Sequence, residues 1–477
     1  VRLLGVMVSI KEDIFSAIFS PRSIAVIGAS ANGENTGAGY FRALVQAGFK
    51  GRLFPVSQGG GQLLGYQVHR DVRMLPEGLD YCIVAVPATQ VPDVIDSCAH
   101  QKVKVVQIYT AGFAENGAIG QALQLEILER ARKGDIRIIG PNCMGISCPA
   151  VNIPFGTMEI VAETGPVSFL SQSGGLTGDM ILLGVERGIR FSKAVSFGNG
   201  CDLDLHEFLD FLANDNETEI IGAYVEDVKY GRRLMQQLRN LRGKKPVVLC
   251  KGGMTEPGTR ATFSHTGSLT LSPHRWSGAL AQAGAISVDS LEALGDALLI
   301  FQQLRSRVGR KVALVSGLSG GGGGVGVMAS DTCSRAGLIV PQFSIETQEK
   351  LQHLLPAVGV IVQNPVDLGG RAGAEELLTS CLKSCLSDSQ IDLMIVDLHV
   401  GKLASTAGEE KVRDISSLLI KIAQSMTKPI VVVAKPGLSP QLCLEVQQKL
   451  AKNGLAVFPS MGQAARALAL FYLWREL

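Results

Sequence analysis

The sequence predicts an α/β protein built from parallel sheets, and three observations lead there. Short β-branched runs alternate with amphipathic stretches along the whole chain, glycine-rich turns follow those runs, and the 477-residue length exceeds the roughly 250–300 residues at which one core stops growing. Three domains are expected, over 14–150, 151–305 and 311–477: a Rossmann-like doubly wound unit and two further parallel-sheet units.

In the first unit, strands are expected over 23–28, 51–56, 81–86, 103–109 and 136–140. Gly112 and Gly117 punctuate the chain before a helix over 118–133, where Leu123, Leu125 and Leu128 recur at roughly helical spacing. The second unit repeats the alternation over 165–170, 191–197, 220–225 and 246–251 and ends in a helical pattern near 291–304. Arg305, Arg307, Arg310 and Lys311 form a basic, aperiodic linker. The third unit opens with a strand over 312–316 and a glycine-rich turn over 317–326, then a helix, strands over 393–398 and 430–434 and a terminal helix over 463–477.

Composition narrows the function. Hydrophobic residues are 46%, charged residues 18%, and the 55 glycines suit many tight turns. A net charge of +2 gives no broad basic field, so nucleic acid is not the expected partner and anion recognition must be local. Ten cysteines lie scattered among apolar residues without metal-ligand spacing, as reduced core thiols of a cytoplasmic protein would. No run approaches the ~18–20 apolar residues of a membrane span. The apolar stretch 3–10 lacks a following small-residue cleavage site, and the chain begins at Val1 with Met7 as the alternative start.

Gly28-Ala29-Ser30 follows the first strand, and Gly37 and Gly39 precede the helix running through 41–47. Small residues there let backbone N–H groups and a helix N-terminus approach a pyrophosphate. A plain packing turn has the same spacing, so both readings are open. A nicotinamide site would need an acid after the second strand, where this chain has Ser57-Gln58. Val86-Pro87, Thr110 and Gly140-Pro141-Asn142-Cys143 each follow a strand, which places them on the carboxyl edge where such sheets bind ligands.

Among seven histidines, His69, His100, His353 and His399 are isolated, and His206 and His274 fall in helical stretches; surface or satisfied core roles suit them. His265 differs, because it sits in a long polar segment, 255–268, that reads as a loop before the helix start at Pro273. An imidazole accepts a phosphoryl group when a carboxylate orients it and fixed N–H donors hold the phosphate. Glu226, at the end of the strand over 220–225, and the turn Ser171–Gly175, opening a helix, are the candidates. A merely solvated loop remains the other reading of His265.

Five motifs in order, Gly140-Pro141-Asn142-Cys143-Met144-Gly145, Gln172-Ser173-Gly174-Gly175-Leu176, Tyr224-Val225-Glu226, Ser264-His265-Thr266-Gly267-Ser268 and Asn364-Pro365-Val366-Asp367-Leu368, carry a resemblance to the α subunit of ADP-forming acyl-CoA synthetases, in the succinyl-CoA synthetase superfamily. It covers about Ile14 to Leu477 and implies a CoA-binding first domain followed by two flavodoxin-like domains. It further implies phosphorylation of His265 with Glu226 as its partner, and phosphate held at Ser171, Ser173, Gly174 and Gly175. CoA would lie along Gly28, Ser30, Val86, Pro87, Thr110 and Asn142.

The implied reaction interconverts acyl-CoA, ADP and phosphate with carboxylic acid, CoA and ATP. ADP/ATP and Mg²⁺ belong to an ATP-grasp β subunit, in an α2β2-type hetero-oligomer, and the loop bearing His265 would swing between sites across glycines from Gly252 to Gly267. This chain departs from the family at Ser57-Gln58-Gly59-Gly60, where relatives carry Asn-Pro-Lys, and at the run Gly320–Gly324, where they have a shorter turn; the run reads as a flexible βα turn. A non-catalytic CoA-binding or regulatory homologue is the alternative. The acyl group is not legible.

Overall fold

The structure is a computed structural model, describing residues 14–159, 163–266, 273–304, 308–355, 360–370 and 375–477; side chains over 262–266, His265 among them, lie outside the described set.

The first sheet contains β1 (Ser23–Ile27), β2 (Arg52–Val56), β3 (Tyr81–Val84), β4 (Val105–Ile108) and β5 (Arg137–Ile139), all parallel in the order β2-β1-β3-β4-β5. β1 is buried throughout, as its unbroken Ser-Ile-Ala-Val-Ile run requires of a strand covered on both faces. Helix α1 (Thr36–Gln46) starts one turn earlier than the pattern suggested. Asn35 Oδ1 accepts from Ala38 N at 3.0 Å and caps it, so Gly37 and Gly39 fall inside its first turn. Helix α2 (Gly117–Lys133) lies where expected but buries Gly120, Ile127 and Ala131, while Leu125 faces solvent.

The second sheet takes β6 (Gly145–Ser147), β7 (Val167–Ser171), β8 (Phe191–Ser196), β9 (Ile220–Val225), β10 (Val247–Lys251) and β11 (Ile286–Val288). Its order is β11-β10-β9-β7-β8-β6, parallel except for the edge strand β6, which runs antiparallel to β8. β6 and β11 went unread in the sequence because three residues carry too little periodicity to register. Helix α3 (Gly174–Arg187) follows β7, and α4 (Leu205–Asn214) is closed at its N-terminus by a capping box of Asp204 and Glu207.

Helix α5 (Glu256–Thr266) corrects an expectation: the polar segment carrying His265 is helical, not a loop. Thr255 Oγ1 accepts from Gly258 N at 3.2 Å, Pro257 sits in the first turn where its missing N–H is harmless, and Glu256 pairs with Arg260 at 2.8 Å one turn on. Those local signals outweigh the lack of apolar periodicity. The chain resumes with α6 (Pro273–Ala283); residues 267–272, including Gly267 and Ser268 of the histidine motif, lie outside the described set.

The third sheet, β12 (Val312–Ser316), β13 (Val366–Asp367), β14 (Leu393–His399), β15 (Ile430–Lys435) and β16 (Ala456–Phe458), has the order β13-β12-β14-β15-β16 and is parallel. All three sheets therefore share one winding, with a topological switch point between the first and third strands.

Two compact units emerge: Val1–Leu182 with Arg190–Leu291, and Leu183–Ile189 with Glu292–Leu477. The first contains two sheets and the second contains one. The helix Leu291–Gln303 is buried from Leu294 through Gln302. In the second unit its Asp296 meets Arg187 Nη2 at 2.6 Å, and its Gln302 Nε2 donates to Gly188 O at 2.8 Å.

The glycine run is only partly a turn. Gly322–Gly324 open the helix Gly322–Arg335, and an ideal Cβ on Gly317 or Gly322 would stand 1.9 or 2.3 Å from Asp367 Oδ1. Glycine there makes room for the aspartate of the Asn364–Leu368 motif.

Candidate functional site

The switch point of the first sheet holds the glycine loop. Gly28 adopts φ +97°, and a Cβ there would meet Ala85 O at 2.3 Å; one on Gly37 would meet Gly28 O at 2.4 Å. The loop, α1 and the end of β3 are thus in backbone contact that only glycine permits. Asn35 Nδ2 donates to Gly28 O at 2.6 Å and fixes the loop to the helix start. Beside it an open cavity of about 410 Å³ is lined by Gly33, Asn35, Thr36, Tyr40, Arg42 and Tyr109.

The other residues assigned to this edge converge. Thr110 Oγ1 donates to Val86 O at 2.6 Å, and Asn142 N donates to Thr110 O at 3.0 Å. Val86, Pro87, Thr110 and Asn142 therefore form one connected rim, with Asn142 held at φ +56° after the cis Gly140-Pro141 bond. Ser30 stands apart from that network, its hydroxyl bonded to Asn32 Oδ1.

The Gly140–Gly145 segment joins this rim to the second sheet. Met144 O accepts from Tyr40 Oη and Gln107 Nε2, both at 3.0 Å, and Met144 N donates to Ser196 Oγ at 3.3 Å. The same methionine packs under α3, where a Cβ on Gly174 would come 2.7 Å from its Cγ. A Cβ on Gly198 would meet Asn142 O at 2.3 Å, which brings the loop after β8 onto the same turn.

At the switch point of the second sheet, β7 delivers the Ser171–Gly175 turn and β9 delivers Glu226. Ser171 is fully buried; its Oγ accepts from Ser173 N at 3.0 Å and donates to Ser173 O at 2.9 Å. Ser173 Oγ accepts from Leu176 N at 3.3 Å. Both hydroxyls shape the helix start, where first-turn N–H groups such as those of Gly174 and Gly175 are of the kind that can bind an anion. A Cβ built on Gly175 would meet nothing within 4 Å beyond its own helix, so the side of the helix start at that residue is open.

Glu226 is nearly buried, at 9% exposure, and its position is set by three neighbours the sequence did not single out. Gln172 Oε1 accepts from the N–H groups of Glu226 and Asp227, Tyr224 Oη donates to Glu226 Oε1 at 3.3 Å, and Lys251 Nζ donates to Glu226 O at 2.9 Å. Burial, followed by the Glu226 charge, holds the Tyr224 phenol well above its usual range, so it stays a donor. Burial pushes the Lys251 ammonium down, against the attraction of Asp227 and Glu226. A Cβ on Gly252 would stand 2.5 Å from Tyr224 Oη, so that glycine is what admits the phenol. Gln172 and Tyr224 lie inside recognised motifs; their roles depend on contacts across strands, which spacing does not encode.

His265 lies in the last turn of α5, whose backbone passes within 8 Å, Cα to Cα, of the Ala114–Asn116 turn after β4. The helix bearing the histidine therefore borders the carboxyl edge of the first sheet. His206, by contrast, is buried and bonded to Gln237 Oε1 at 2.9 Å, a satisfied core histidine. All ten cysteines are free, and all but Cys201 are buried. Among the described residues no cluster of His, Cys, Asp and Glu could hold a metal, and no helix is long and apolar enough to cross a membrane.

Comparison with known proteins gives two family matches: a CoA binding domain over residues 22–149 and a succinyl-CoA ligase like flavodoxin domain over 164–301. The α subunit of acetate–CoA ligase [ADP-forming] I from Pyrococcus furiosus is 31% identical over 468 residues, covering 96% of this chain and 97% of that protein. Acetate–CoA ligase [ADP-forming] I from Archaeoglobus fulgidus is 34% identical over 381 residues, covering 80% of this chain but 54% of that longer protein, so the chain spans about half its length. A solved Ca. Korarchaeum cryptofilum acetyl-coenzyme A synthetase 1, in complex with phosphate and ADP, superposes with a TM-score of 0.83 at 26% identity, covering 97% of each chain.

Proposed function

Because this chain belongs to the α subunits of ADP-forming acyl-CoA synthetases, we propose that it carries a phosphoryl group on His265 between an acyl-CoA site on its first sheet and a nucleotide on a partner subunit. Supporting this is the pairing, at one switch point, of the Glu226 carboxylate with the N-terminus of α3, and the closeness of α5 to the first sheet's carboxyl edge.

CoA would lie along Gly28, Ser30, Val86, Pro87, Thr110 and Asn142. Gly28 and Gly37 let the loop, the start of α1 and the end of β3 approach one another closely, an arrangement that suits a pyrophosphate at the helix N-terminus. Phosphate, held at Gly174 and Gly175 with Ser171 and Ser173 shaping the turn, attacks the thioester carbonyl. The C–S bond breaks, CoA leaves as thiolate, and an acyl phosphate forms. A ring nitrogen of His265 then attacks phosphorus and the carboxylate departs as the free acid. Glu226 orients the imidazole and offsets the positive charge it gains. Transfer of that phosphoryl group to the terminal phosphate of ADP gives ATP and restores the imidazole.

ADP/ATP and Mg²⁺ are assigned to an ATP-grasp β subunit in an α2β2-type cytoplasmic assembly, and the domain division 14–150, 151–305 and 311–477 belongs to the same proposal. The α5 helix extends the histidine's carrier, so any swing takes place as movement of a helix and not of a loop.

The test is acid-labile, base-stable phosphate on this chain after incubation with acetyl-CoA and phosphate. Wild type should label; His265→Ala should not, and Glu226→Gln should label at least about 100-fold more slowly. A wild-type chain that binds CoA yet never labels, with its partner present, would make it the non-catalytic homologue instead.

A further inference from the structure

In doubly wound nucleotide sites the end of the second strand faces the ribose: a carboxylate there reads free hydroxyls, and an arginine reads a ribose phosphate. Here β2 ends at Val56, and Ser57-Gln58-Gly59-Gly60-Gly61 supplies no charge. The turn is nonetheless built with care. Gly60 N donates to Ser57 O at 2.9 Å, Ser57 N donates to His69 O at 2.8 Å, and His69 N donates to Pro55 O at 2.9 Å. His69 thereby makes an isolated parallel bridge to Val56 at the end of the edge strand.

That bridge delivers Arg70 to the turn. A Cβ on Gly60 would stand 3.2 Å from Arg70 Nε and 3.5 Å from its Cγ, so the side chain lies over the glycine. Gly61, next along, would bring a Cβ to 2.9 Å from that of Ala31, which seats the turn on the β1–α1 loop. Arg42, the other arginine by this loop, is held by Gly33 O at 2.7 Å and shares its cavity with Glu34. Arg70 has no hydrogen bond or ion pair with any described residue, and a guanidinium presents a planar fork suited to phosphate oxygens.

We propose that Arg70 binds the ribose 3′-phosphate of CoA, supplying from the bridged segment the positive charge that residues 57–60 lack, and that it sets the preference for CoA over 3′-dephospho-CoA. This rests on the first sheet being the CoA site.

Isothermal titration of the full chain with CoA and with 3′-dephospho-CoA separates the two ideas. Wild type is expected to favour CoA; Arg70→Ala should weaken CoA about tenfold and leave 3′-dephospho-CoA unchanged, with Arg70→Lys recovering part of the loss. The exposed position makes misfolding of these variants unexpected, and an unchanged unfolding midpoint checks it. Equal weakening of both ligands, or of neither, overturns the role of Arg70 while leaving the CoA site intact. A folded wild type that binds neither ligand overturns the CoA site itself and the inference with it.

Discussion

Asn199 Nδ2 donates to Glu115 Oε2 at 2.5 Å, joining the loop after β8 to the turn after β4. The other carboxylate oxygen accepts from Gly112 N at 2.6 Å and Phe113 N at 3.1 Å, so one side chain holds the Thr110–Phe113 rim and ties it to the second sheet. The α5 helix passes this same turn. Glu115 thus ties the carboxyl edge of the first sheet to the loop after β8, in the turn that the histidine-bearing helix passes.

Burial acts most strongly on Glu115 and would raise its pKa, but the hydrogen bonds from Asn199, Gly112 and Phe113 together hold it below the usual carboxylate range. A depressed folded pKa contributes stability above the unfolded value near 4.3, and that contribution is lost as pH falls through the folded pKa. Glu115→Gln is expected to lose about 1 kcal/mol at pH 7 in urea unfolding, with the gap to wild type narrowing below about pH 4.3. A gap that stays constant with pH would refute the assignment.

Gly252→Ala should disturb Glu226 chiefly through Tyr224, since its methyl would only reach van der Waals contact with Glu226 Cγ, at 3.4 Å. The new methyl would collide with Tyr224 Oη, and no left-handed backbone strain confuses the result. Phosphohistidine formation should fall at least about tenfold, and adding Tyr224→Phe should restore part of the lost stability by making space. Wild-type labelling in Gly252→Ala would show that the phenol does not position the carboxylate.

Asp204, at the N-cap of α4, is pushed up to about 6, by burial first and then by its hydrogen bond with Glu207. With the folded value above the unfolded one near 3.9, its contribution is fully present below about pH 3.9 and is lost as pH rises through about 6. Asn caps a helix as well as Asp does. Asp204→Asn should therefore gain about 1 kcal/mol over wild type at pH 8 and much less at pH 4.5, read from thermal unfolding at both.

Lys193 is buried between the Phe19 and Phe211 rings, 5.7 and 5.9 Å from their centroids, and pairs with Asp215 at 2.7 Å and Glu217 at 2.6 Å. Lys193→Met leaves Asp215, whose side chain is 11% exposed, without its cation and should cost about 3 kcal/mol. Lys193→Met with Asp215→Asn should recover part of that; a double variant no better than the single would mean that lost packing, and not the stranded charge, sets the cost.

The twelve strands expected from β-branched runs all exist, because an unbroken apolar run in a sheet covered on both faces leaves few other conformations. β6, β11, β13 and β16 escaped notice because two or three residues hold no period, and pairing to a neighbour is what makes them strands. The motifs carrying Gly28, Glu226 and the Ser171–Gly175 turn announced their positions at strand ends. What they left open was how each residue of the turn is placed: Ser171 is sealed into its own turn, Gly174 packs on Met144, and the space beside Gly175 is open.

The sequence by itself determined the three parallel sheets, the carboxyl-edge placement of the glycine loops and the family to which the chain belongs, because local propensity and short motifs are properties of neighbours along the chain. Only the tertiary structure decided that Gln172, Tyr224 and Lys251 surround Glu226, that Arg70 covers a turn ten residues away, and that the His265 segment is a helix beside Glu115. Those relations come from parallel crossovers that bring distant strand ends to one edge, a proximity that no local pattern records.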